Sequence, residues 1–140
     1  MFTDSIVALV TPFHENLEID FDSLEQLIEW HIEEGTDQIS LCGTTGESGA
    51  LTHEEFLAVI EKAVKTARGR VPIIAGTGCM DTRTALKKTV EVKEIGADAA
   101  LVVVPYYNRP TEEGCLAHFQ EVSKAGLPMI VYHHPGRTGL

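Results

Sequence analysis

Three tyrosines, one arginine and two short glycine–threonine loops carry most of the polar chemistry in this sequence. Tyr106, Tyr107 and Tyr132 are its only tyrosines. A phenol near a threonine hydroxyl such as that of Thr44 can pass a proton to or from a reacting oxygen. The same rings can equally close the rim of a domain as partly buried aromatics. The segment Gly43-Thr44-Thr45-Gly46-Glu47-Ser48 offers hydroxyls and approachable backbone N–H groups. That is a setting for a carboxylate or oxyanion, or a tight turn that needs glycine. It is not a nucleotide phosphate loop, because no Gly-Lys-Ser/Thr follows. Gly76-Thr77-Gly78 lacks the third glycine of a dinucleotide fingerprint. Arg137 can grip a carboxylate through two parallel N–H bonds, or lie solvated in its loop. His133 and His134 are adjacent, so on a strand they point to opposite faces and do not share a metal ion.

These residues need elements to hold them. Nearly continuous apolar runs recur about every 30 residues, at Ser5–Val10, Gln38–Cys42, Val71–Ala75, Ala99–Val104 and Pro128–Tyr132. Such runs suit strands buried on both faces of a parallel sheet. Helical patterns lie between them. Asp22 with Glu25, and Thr52 with Glu55, have capping-box spacing, and Asp81 and Thr111 suit the next two N-caps. Gly35, Gly69, Gly96 and Gly126 follow the last helical residues, where a left-handed conformation favours glycine. Leu24, Leu27, Ile28 and His31 share one helix face, and Phe56, Val59, Ile60, Ala63 and Ala67 another.

The order is β-α-β-α-β-α-β-α-β, a parallel α/β protein with no internal linker. Two architectures fit: a doubly wound five-stranded sheet, or the first part of an eightfold barrel of about 250 residues. The pattern stops after the fifth strand, so either looks interrupted. In both, function sits beyond the C-terminal strand ends, where the residues above gather.

Composition narrows the partners. Eleven Lys and Arg against 21 Asp and Glu give a net charge of −10 over 140 residues. That disfavours non-specific binding to nucleic acid or an anionic membrane. No apolar run approaches the roughly 20 residues of a membrane span. The N-terminus has no basic region of the secretory type. Cys42, Cys79 and Cys115 are odd in number and widely spaced, which reads as reduced thiols of a cytoplasmic protein.

Several motifs in order, MFTDSIVALVTPF, GTTGES, AGTG, PYYNRPTEEG and Y-x-x-P-x-R-T-G, resemble the dihydrodipicolinate synthase family. This is the lysine-pathway branch of the pyruvate-dependent class I aldolases and lyases. The resemblance runs from Met1 to Leu140. It implies that residues 1–140 are the N-terminal part of a single (β/α)8 TIM barrel domain, holding about its first five strands and four helices. It implies condensation of pyruvate with aspartate-4-semialdehyde through a lysine Schiff base, without a metal or other cofactor, in a homodimer or homotetramer. Thr44 would link Tyr132 and Tyr107 in a proton relay. Tyr132 would act as acid and base, and Tyr107 would reach into a neighbouring subunit. Thr45 would hold the pyruvate carboxylate and Arg137 that of the semialdehyde. N-acetylneuraminate lyases share the GxTGE and Tyr-x-x-Pro segments, but Arg-Thr-Gly and the tandem Tyr106-Tyr107 look more like the synthase. A stand-alone half-barrel serving binding or assembly is the non-enzymatic alternative.

Three departures stand out. The family's Schiff-base lysine would lie about 20 residues beyond the Tyr-x-x-Pro segment, outside this chain. The lysines present, Lys62, Lys65, Lys87, Lys88, Lys93 and Lys124, all fall in helical patterns or at their ends. The resemblance also implies an inhibitory lysine site. Ser48, His53, Gly78 and Tyr106 suit it, whereas Phe56, Met80 and Thr84 stand where sensitive relatives usually carry histidine, asparagine and glutamate. His133 and His134 stand where the family usually has asparagine and a small apolar residue.

Overall fold

In the computed structural model, residues 4–139 are described. Five strands and five helices alternate: β1 (Ile6–Ala8), α1 (Phe21–Glu33), β2 (Gln38–Leu41), α2 (His53–Ala67), β3 (Ile73–Gly76), α3 (Thr82–Ile95), β4 (Ala99–Val103), α4 (Glu112–Ser123), β5 (Met129–Tyr132) and α5 (Pro135–Thr138). The strands are parallel and lie in the order β1-β2-β3-β4-β5. A doubly wound sheet must reverse its strand order at a switch point, and this one never does. Uniform right-handed crossovers then put every helix on one side, as in a barrel. The chain therefore forms a half-barrel, which excludes the doubly wound alternative.

The helix side holds the core. Val7, Ile39, Leu41, Ile73 and Ala75 pack there against Leu24, Ile28, Phe56, Val59, Ile60 and Ala63. A smaller cluster joins Ala85, Ala100, Val102 and Val122, with Met129 against it. Alternation along each strand turns Leu101, Val103 and Tyr132 to the concave side. The strands end earlier than their apolar runs suggest. At β1, Ile6 and Val10 are 42% and 47% exposed.

The helix starts show which sequence signals were real. Thr52 and Glu55 form the reciprocal capping box, and Asp81 and Thr111 cap α3 and α4. The first helix differs. Its N-cap is Asp20, which accepts from Ser23 N at 2.9 Å and Ser23 Oγ at 2.6 Å. Asp22 sits inside the first turn, and Glu25 pairs instead with Lys62 of α2. Ser23 supplies two donors to Asp20, two positions before Asp22, and that moves the cap. A one-turn helix, α5, also forms within the loop after β5, where the sequence showed no helical pattern.

Between α3 and α4 lies a buried imidazole. His118 is 3% exposed, its Nδ1 lies 2.9 Å from Thr82 Oγ1, and its Nε2 is buried without a hydrogen-bond partner among the described residues. Burial pushes its pKa down, opposed by the Asp81 charge. The unfolded chain then binds more protons than the folded one at mildly acid pH, so stability falls as pH drops below about 6.5. The urea midpoint should decline between pH 7 and 5 in the unaltered protein. His118→Gln should flatten that slope even if it lowers stability at pH 7.

Candidate functional site

The loop after β2 is tied down before it reaches the site. Thr11, following β1, donates from Oγ1 to the Gly46 carbonyl at 2.8 Å, in a buried bond. Within the loop, Glu47 N donates to Thr44 O at 3.1 Å and Ser48 N to Gly43 O at 3.3 Å. Cys42 and Glu47 adopt left-handed φ values of 55° and 53°, which are uncommon for residues with a side chain. The segment is thus a tight turn, and it also forms one wall of a cleft.

Neighbouring strand ends crowd against this wall. A Cβ at Gly76 would lie 2.3 Å from the Cys42 carbonyl oxygen, and one at Gly78 would lie 2.4 Å from Val103 N. Glycine there lets the backbones after β2, β3 and β4 converge. Beyond them opens a cleft of about 520 Å³. Leu101 and Val103 form an apolar part of its lining, and Thr44, Ser48, Tyr106, Tyr132 and Arg137 face the same space. Three of the five residues given catalytic or substrate roles, Thr44, Tyr132 and Arg137, are therefore brought together. Tyr132 is 41% exposed and its ring centroid lies 6.2 Å from that of His134. Arg137 is exposed and makes no ion pair among the described residues, so its guanidinium is available to an anion.

Other residues singled out in the sequence lie elsewhere. Thr45 is exposed and does not line the cleft. Tyr107 is 88% exposed, has φ 68° and projects outside it. No hydrogen bond among the described residues joins Thr44, Tyr107 and Tyr132, so the relay is not assembled within this chain alone. Ser48, Gly78 and Tyr106 line the cleft, but His53 does not. Its Nε2 lies 3.1 Å from Glu91 Oε1, and its ring stacks on fully buried Phe56 at 6.4 Å.

The cleft also contains residues given no role in the sequence reading. Cys42 lines it, but burial pushes the thiol up to about 12, so it is no nucleophile at neutral pH. Glu47 supplies the one carboxylate among the lining residues, and Thr138 closes the side near α5. His134 enters because it lies two residues beyond Tyr132, and this period-two spacing was a usable signal.

The described fold and site define a class: half of a parallel α/β barrel, with hydroxyls, two phenols and a free guanidinium at the C-terminal strand ends. Comparison with known proteins narrows this. Residues 1–140 match the Dihydrodipicolinate synthetase family, and the chain belongs to it. The 4-hydroxy-tetrahydrodipicolinate synthase of Aquifex aeolicus is 55% identical over 139 residues, covering 99% of this chain and 47% of that protein. That of Thermodesulfovibrio yellowstonii is 51% identical over 141 residues, covering 100% and 48%. The crystal structure of dihydrodipicolinate synthase from Aquifex aeolicus superposes with a TM-score of 0.96 at 54% identity, covering 99% of this chain and 47% of that one. A chloride-inhibited dihydrodipicolinate synthase from Acinetobacter baumannii, complexed with pyruvate, gives 0.94 at 51%, covering 96% and 47%. The chain spans about half the length of the relatives it matches.

No lysine lines the cleft. Lys62 and Lys65 lie on α2, Lys87, Lys88 and Lys93 on α3, and Lys124 caps α4. Several are engaged: Lys62 with Glu25, Lys65 with Glu61 at 2.7 Å, and Lys88 over the Phe56 ring at 4.4 Å. An amine that attacks a ketone must reach the site and lose its proton there. Incubation of the 140-residue chain with pyruvate and borohydride should therefore add no mass at any lysine. A stoichiometric gain at one lysine would contradict this.

Proposed function

We propose that this chain supplies the N-terminal half of the active site of a 4-hydroxy-tetrahydrodipicolinate synthase, which condenses pyruvate with aspartate-4-semialdehyde. The observation that carries the reading is the convergence of Thr44, Tyr132 and Arg137 on one cleft at the strand ends. The family of the chain and the synthase names of its relatives support it.

In this reading the amine comes from a lysine outside these residues. It adds to the ketone carbon of pyruvate, and water leaves as the imine forms. Loss of a methyl proton gives an enamine, whose carbon bonds to the aldehyde carbon of the second substrate. Water loss and addition to the aldehyde each deliver a proton to oxygen, enamine formation takes one from carbon, and attack of water or an amine on the product imine frees the lysine; such transfers suit a phenol held close by. Tyr132 takes that part, with the Thr44 hydroxyl as its neighbour in the cleft. The exposure of Tyr107 supports a role beyond its own cleft, in that of a second subunit within a homodimer or homotetramer. The loop at Thr45 binds the pyruvate carboxylate in this scheme through its backbone rather than its exposed side chain. Arg137 binds the carboxylate of the semialdehyde.

The test is the full-length protein containing this chain, assayed for joint consumption of the two substrates. Tyr132→Phe should lower kcat at least about 100-fold while pyruvate KM changes little, because it removes an acid–base group and almost no contact area. Arg137→Ala should raise the KM for the semialdehyde roughly ten- to hundred-fold, the usual cost of a charge-assisted contact, and affect pyruvate less. No condensation in the unaltered protein would refute the assignment. Equal effects of Arg137→Ala on both substrates would refute the role given to Arg137.

Weak inhibition by lysine belongs to the same reading. Phe56 is fully buried and Met80 offers only a thioether. Thr84 Oγ1 donates to Asp81 at 2.6 Å. None of the three presents a carboxylate to an ammonium group, so the desolvation of a zwitterion is poorly offset. Initial rates against lysine should show half-inhibition only above about 1 mM, corresponding to less than about 4 kcal/mol of binding.

A further inference from the structure

His134 has the two nitrogens of its ring in different surroundings. Nδ1 is buried and has no hydrogen-bond partner among the described residues. Nε2 is not shut away, and the residue lines the cleft. A neutral imidazole carries one N–H and one lone pair. An orphaned buried N–H is rarer than an under-used buried acceptor. The economical arrangement leaves the lone pair on Nδ1 and the proton on Nε2, where it faces the cleft.

The backbone of His134 is tied down, and its ring has an aromatic neighbour. Tyr132 lies against it, with centroids 6.2 Å apart. The His134 carbonyl accepts from Arg137 N at 2.9 Å, Thr138 N at 3.1 Å and Thr138 Oγ1 at 3.1 Å. This anchors the single turn of α5 to His134 itself. Arg137 lies three residues on, inside the single turn that the His134 carbonyl closes. Both line the cleft, and neither makes an ion pair with Glu47, the carboxylate that shares it.

We infer that His134 is a specificity-determining residue whose Nε2–H donates to the same carboxylate that Arg137 binds, so that the two form a clamp. The inference rests on the proposed reading of Arg137 as the site for the semialdehyde's carboxylate. It adds an N–H donor that an apolar residue at this position would lack. The clamp favours ligands with a carboxylate at that end over ligands of similar size without one.

The experiment uses the full-length protein and two kinds of readout. In kinetics, His134→Val should raise the KM for aspartate-4-semialdehyde about ten-fold and leave pyruvate KM within two-fold. His134→Gln, which keeps an N–H donor, should recover most of the loss. In ¹⁵N spectra of histidine-labelled protein, His134 should show the Nε2–H tautomer. Titration with succinate, a four-carbon dicarboxylate, should move Nε2 and not Nδ1, and Arg137→Ala should weaken that response. A semialdehyde KM unchanged by His134→Val, equal rises in both KM values, or an Nδ1–H tautomer would each overturn the inference. Absence of condensation in the unaltered protein would instead refute the functional reading. The succinate titration would still decide on His134: a shift of Nε2 upholds it, and no shift overturns it.

Discussion

At Gly76 the backbone after β3 runs so close to the Cys42 carbonyl that a methyl group would not fit between them. The same holds at Gly78 against β4. This pair of close approaches is the constraint on which the rest of the cleft depends. Parallel strands normally stand about 4.8 Å apart, and the chain leaves the sheet at their ends. Here the exits press together, so the loop after β2 is held up by its neighbours rather than by its own side chains. The buried bond from Thr11 to Gly46 adds β1 to the same junction. Thr44 and Ser48 then sit on a wall supported from three strands, although the wall itself is a turn with two left-handed residues.

The strand-end architecture carries a division of labour. The helix side of the sheet is filled by Leu24, Ile28, Phe56, Val59 and Ile60, all fully buried. Those residues contribute stability and line no part of the cleft. The concave side contributes Leu101, Val103 and Tyr132, which are less buried and line the cleft. Adjacent residues of one strand thus serve opposite purposes. A one-residue slip in β4 would place Val102 in the cleft and bury Leu101 and Val103.

Periodicity and capping chemistry made the fold legible in the sequence. Thr52 with Glu55 marks α2 without ambiguity because both halves of the box are local. Asp22 with Glu25 has the same spacing, yet the cap is Asp20, since Ser23 offers it two donors. Strand order was not legible from local pattern, because a doubly wound sheet and a barrel share the same alternation. Only the pairing of β1 with β2, and so on without reversal, separates them. In the site, Thr44, Tyr132 and Arg137 were readable because strand ends converge. The outward placement of Thr45 and Tyr107 depends on φ values and loop paths that no spacing encodes. His134 was readable in principle from its distance to Tyr132, whereas the sequence argument about the His133-His134 pair addressed only a shared metal ion, which it excluded.

The sequential strand order also dictates how the molecule can assemble. Each strand pairs only with those adjacent in the chain, so β-α-β units can dock one after another as they emerge, with modest loop closures. The cleft does not share this locality. Its lining comes from the exits of β2, β3, β4 and β5, separated by almost 100 residues from Cys42 to Thr138. An intermediate that had docked its first three units would already hold the large core around Phe56, yet it would contain one wall of the cleft and neither Tyr132 nor Arg137. Ligand-binding capacity in this region therefore waits for β5 and α5 to dock, later than the burial of the large core around Phe56.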